Sequence, residues 1–85
     1  MTAEVSGALP GSFDHRAARE RWGEADEWVG SVNDPRTQEE HGIRFNEKWV
    51  YFLPGGTQRW VYWHRYRCRG VLRRDSAGQV RLEPL

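Results

Sequence analysis

The chain has 85 residues, a charged fraction of 29%, a hydrophobic fraction of 38% and a formal net charge of +1. That length allows one domain with room for one small site, because a chain of this size buries only about 60% of its unfolded surface. The single cysteine, Cys68, excludes an intrachain disulfide and a paired-cysteine metal site, and no run of about 18 apolar residues offers a membrane span.

Residues 1–11, MTAEVSGALPG, are small, polar or Gly/Pro residues without periodicity, and they read as a flexible arm ahead of a domain at 12–85. They lack the basic and apolar regions of a secretory leader, so the expected setting is the cytoplasm. Ser12 is the expected N-cap of a helix from 13 to about 22, with Asp14 in its first turn. His15, Ala18, Trp22, Ala25 and Val29 share one helical face, which extends the pattern to residue 29, but Gly23 interrupts it at a cost of about 1 kcal/mol. NDPR at 33–36 and EEHG at 39–42 are turn sequences, with the segment between them open to a short strand or a helical turn.

From Ile43 the period changes to two. Ile43, Phe45, Glu47, Trp49, Tyr51 and Leu53 share one side of a strand, and Arg44, Asn46, Lys48, Val50 and Phe52 share the other. PGGT marks a hairpin, after which Trp60, Tyr62, His64, Tyr66, Cys68 and Leu72 alternate with Arg59, Val61, Trp63, Arg65, Arg67, Arg69, Val71 and Arg73. A two-residue loop at Gly55-Gly56 sets Tyr51 opposite Trp60, Trp49 opposite Tyr62 and Glu47 opposite His64, so one face is apolar and the other cationic. Gly70 is expected to bend the long strand 59–74, and DSAG at 75–78 to turn the chain into a third strand carrying Val80 and Leu82. The fold class expected is α+β: an N-terminal helix packed on an antiparallel meander of at least three strands, curling toward a small barrel.

Charge is distributed unevenly. Residues 1–42 carry four arginines against nine acids, and residues 43–85 carry nine bases against three acids. The acidic half is expected either to neutralise the basic sheet or to leave it exposed as a footprint. Arg65, Arg67, Arg69 and Trp63 in one file, with Arg44 and Lys48 across from them, combine guanidinium groups for anions with an aromatic platform. They point to a small non-enzymatic binding or accessory protein that contacts an acidic protein surface or a nucleic acid, with no membrane partner. The alternative is a small-molecule pocket between helix and sheet, lined by Trp22, Trp49, Tyr62 and Tyr66, with Glu47 and His64 as its polar and catalytic groups. No cofactor is expected. Metal is not expected either, since His64 and Cys68 lie too far apart on an extended strand to share an ion.

Overall fold

Helix α1 (His15–Trp22) starts where the Asp14 side chain accepts a hydrogen bond from the Ala17 N–H at 3.0 Å. Asp14 is thus the N-cap itself rather than a first-turn residue, and the helix begins two residues later than expected. The computed structural model describes residues 13–30 and 38–83, so Ser12, the arm at 1–11 and the turn at 33–36 lie outside the described residues. Gly23 ends the helix: at φ 82° it leaves the helical path while its N–H still reaches the Arg19 carbonyl at 2.8 Å. The extension of the helix to residue 29 is therefore corrected. Residues beyond Gly23 form strand β1 (Glu27–Gly30) instead, held by Asp26, whose N–H donates to Val50 O and whose carboxylate accepts from Phe52 N–H at 2.8 Å.

The other strands are β2 (Gln38–Glu40), β3 (Ile43–Phe45), β4 (Glu47–Leu53), β5 (Thr57–His64), β6 (Arg67–Arg74) and β7 (Val80–Leu82). Five of them make an antiparallel sheet in the order β1-β4-β5-β6-β7, and β2 pairs with β3 as a separate ribbon. The main sheet stays open, with β1 and β7 at opposite edges, and does not close into a barrel. The expected single strand at 43–53 is broken at Asn46, whose N–H donates to Trp63 O at 2.9 Å, so that β3 and β4 belong to different sheets.

The hairpin at PGG forms, but its register is one residue from the expected one. Pro54 has no N–H with which to close a pair opposite Thr57, so the last pair is Leu53 with Thr57 and the turn is Pro54–Gly56, with Gly55 and Gly56 both at φ 77°. A slip of one residue carries every side chain of the second strand to the opposite face. Tyr51 consequently faces Arg59, Trp49 faces Val61, and Glu47 faces Trp63 rather than His64.

Both faces of the sheet are buried as a result, in place of one apolar and one cationic face. On one side α1 and Phe13 cover Trp49, Tyr51, Val61, Trp63, Cys68 and Val71. On the other, the β2–β3 ribbon brings Phe45 onto Tyr62 and Leu72, with Ile43, Trp60 and Val80 around them. Trp63 and Tyr62, adjacent in sequence and on opposite faces, are both 0% exposed. Gly70 admits the ribbon: a Cβ there would stand 2.9 Å from Ile43 Cδ1. At the far end the expected turn is present, with Asp75 Oδ1 accepting from the N–H groups of Ala77 and Gln79 and Gly78 at φ 89°.

Burial pushes the Cys68 thiol up to about 11, and its side chain is enclosed with the α1-side core. Thiol labelling at about pH 8 is expected to run roughly a hundredfold slower in the folded protein than in urea, because the thiolate fraction falls with the raised pKa. Equal rates in both states would place Cys68 at the surface.

Candidate functional site

The expected strand 59–74 is interrupted by a tight turn at Arg65 and Tyr66, with φ 53° and 70° respectively. Two consecutive residues with positive φ are the signature of the hairpin turn that Asn-Gly forms without strain. An arginine and a tyrosine each cost about 1–2 kcal/mol in that conformation. The flanking pairing holds them there: His64 faces Arg67 and Trp63 faces Cys68, with Arg69 as an extra bulged residue before Gly70 faces Tyr62.

The turn carries a concentration of positive charge. Arg65, Arg67 and Arg69 are exposed, and among the described residues none of them is held in an ion pair. Arg44 reaches the same end of the sheet from β3. Partial burial, followed by the charges of Arg65, Arg69 and Arg44, holds the half-buried His64 imidazole below its ordinary pKa. Three guanidinium groups, from β3, the β5–β6 turn and β6, are thus close enough to act on one ring.

Of the six residues expected to contact a partner, Arg44, Arg65, Arg67 and Arg69 gather at this tip, and Lys48 and Trp63 do not. Trp63 is in the core. Lys48 is mostly buried under the ribbon, 3.4 Å from Glu40 Oε1 and 4.7 Å from the centroid of the Trp60 ring. The acidic half of the chain does neutralise part of the basic half: Glu40 takes Lys48, and Glu39 lies 3.6 Å from Arg44.

Tyr66, expected in a pocket, is instead 59% exposed at the apex of the turn. Its ring meets the His15 ring edge-on at 5.9 Å, and His15 stacks on Trp49 at 4.9 Å and sits edge-on to Trp63 at 4.3 Å. The aromatic core therefore backs the exposed tyrosine. No turn residue in the sequence marks this apex, and a pair of aromatic and basic side chains read simply as two more positions of an alternating strand.

Glu47 has a histidine partner, but it is His15 of α1 rather than His64. Glu47 Oε1 lies 3.1 Å from His15 Nε2 without hydrogen-bond alignment, and Oε2 accepts from Trp49 Nε1–H at 2.7 Å. The pair is 5% exposed at Glu47 and belongs to the core. Trp22, Trp49, Tyr62 and Tyr66 share no cavity: Trp49 and Tyr62 lie on opposite faces of the sheet, Tyr66 is at the tip, and Trp22 packs on Tyr51 and under the Arg59 guanidinium. An open hollow of about 470 Å³ lies elsewhere, between Arg73, Asp75, Gln79, Arg81, Leu82 and Glu83. Its lining pairs Glu83 with Arg73, while Arg81 Nη2 donates to Gln79 Oε1 at 3.1 Å. Glu83 accepts from Arg59 Nε and Nη2 at 2.9 Å each and from Arg73 at 3.2 Å; burial alone would raise its pKa, and the Arg59 and Arg73 contacts more than offset this and hold it low.

Among the described residues no group of three or more His, Cys, Asp or Glu side chains is arranged to ligate a metal ion, and no helix is long and apolar enough to cross a membrane. The chain matches no protein-family model, and comparison with curated proteins and with solved structures finds no significant relative.

Proposed function

We propose that the protein is a non-enzymatic binding module that holds an acidic partner against the β5–β6 turn through Arg44, Arg65, Arg67 and Arg69. The observation that carries this reading is the convergence of arginine charge on His64, with Arg65, Arg67 and Arg69 unmatched by any carboxylate among the described residues. Crowded like charges repel one another, and an anion placed among them relieves that repulsion. Arginine suits the task, since its planar fork makes paired hydrogen bonds to carboxylate or phosphate oxygens. A cytoplasmic setting is part of the reading, supported by the single cysteine.

Binding of a heparin oligosaccharide, used as a generic polyanion, is expected to weaken at least tenfold between about 50 and 200 mM salt. Arg65→Ala combined with Arg67→Ala should weaken it by a similar factor at low salt while leaving the thermal midpoint within about 2 °C, because both side chains are exposed. The His64 imidazole should titrate at higher pH in the complex, as the bound anion offsets the neighbouring guanidinium charge. Salt-independent binding, or indifference to the double substitution, would remove the tip as the site.

A further inference from the structure

We infer that the anionic partner is a single-stranded nucleic acid, with its phosphates among Arg44, Arg65, Arg67 and Arg69 and a base stacked on Tyr66; this rests on the anion-binding reading above. Positive charge alone would suit any polyanion. The tyrosine is what narrows the class. Tyr66 is 59% exposed between Arg65 and Arg67 in the chain, and its contact with His15 is edge-on, which leaves most of the ring open to solvent. An aromatic ring open to solvent within a cationic patch is the arrangement that holds single strands, because every unpaired base offers a flat face for stacking.

The backbone strengthens the inference. Arg65 and Tyr66 occupy left-handed conformations that Asn-Gly would adopt without strain, so the turn is not built from the residues that form it most easily. Left-handed residues other than glycine concentrate where the side chains serve a purpose beyond the fold. Here the two side chains placed at the apex are a phosphate-binding group and a stacking platform.

The composition of the patch separates nucleic acid from an acidic protein. Protein–protein interfaces have an apolar centre depleted of charge, whereas nucleic-acid interfaces are strongly cationic throughout. Apart from Tyr66 itself, the large apolar side chains that the described residues leave exposed, Trp28, Val29, Phe52 and Leu82, lie on β1, β4 and β7 rather than at the β5–β6 turn. A duplex would offer phosphates but no free base face for Tyr66.

The test is fluorescence anisotropy with three labelled probes at about 100 mM salt: a single-stranded oligo-dT of about twelve nucleotides, a duplex of equal length, and an oligo-glutamate peptide. The single strand is expected to bind at least tenfold more tightly than the other two. Tyr66→Phe should stay within about twofold. Tyr66→Gly removes the ring yet suits the positive φ of the turn, so the domain should remain folded while single-strand affinity drops roughly tenfold or more. Equal or better binding of the duplex or the peptide, or no effect of Tyr66→Gly on the single strand, would overturn the nucleic-acid assignment and leave the anion-binding reading standing. Failure of all three probes and of heparin to bind in a salt-dependent way would overturn both.

Discussion

Trp63→Ala is expected to destabilise the domain by about 3–5 kcal/mol, the range for removing a fully buried aromatic side chain. Trp63 is 0% exposed and belongs to the α1-side core. Its ring stacks parallel to Phe13 at 6.3 Å, tilts against Trp49 at 5.1 Å and takes the edge of His15 at 4.3 Å. Truncation would leave a cavity between helix and sheet that neither element can close without moving the other. Small domains have about 5–15 kcal/mol in total, so this single change should bring the folded state close to failure. Urea denaturation checks it. A loss under about 1 kcal/mol would mean that Trp63 lies on the surface, where simple alternation along the strand would place it. Trp63→Phe should cost much less than the alanine, since the Trp63 Nε1–H is buried without a hydrogen-bond partner and its removal orphans nothing.

The second large effect belongs to Glu47. Glu47→Ala should cost about 2–3 kcal/mol, because it leaves the Trp49 indole N–H without its acceptor and the His15 ring without the carboxylate beside it. Glu47→Gln should cost less, as the amide oxygen can still accept from the indole. A double-mutant cycle identifies the partner. Glu47→Ala with His15→Ala should show a coupling of about 0.5–3 kcal/mol, whereas Glu47→Ala with His64→Ala should be additive to within about 0.5 kcal/mol. The opposite result would restore the strand-to-strand pairing of Glu47 with His64 and with it the two-residue hairpin loop. The cycle thus tests side-chain contact and register in one experiment, and it separates a core contact from the tip chemistry proposed for binding.

The one-residue difference in register has a local cause that was present in the sequence. Gly55 and Gly56 invite a two-residue loop, and Pro54 forbids the pair that would close it. The glycines were the louder signal. The second turn, at Arg65 and Tyr66, had no such signal at all: its residues are poor at positive φ, and only the packing of strands on either side holds them there. With those two features the alternating rows at 59–74 stop predicting faces. Trp63 moves into the core, Tyr66 to the apex, and Arg65, Arg67 and Arg69 remain in water because no buried position supplies them with carboxylates.

What the amino-acid sequence determined by itself is therefore what local chemistry dictates. The period of α1 and its stop at Gly23, the hairpin at PGG, the Asp75–Gly78 turn and the concentration of aromatics in the middle of the chain all follow from single residues or short spacings. Only the tertiary structure decided which histidine meets Glu47, that both sheet faces are covered, and that the charges of Arg44, Arg65 and Arg69 converge on His64. Those outcomes depend on strand register and on α1 and the β2–β3 ribbon docking from opposite sides. Such contacts join residues distant in the chain, and their free energy comes from the packing of the whole core rather than from any segment's own preference.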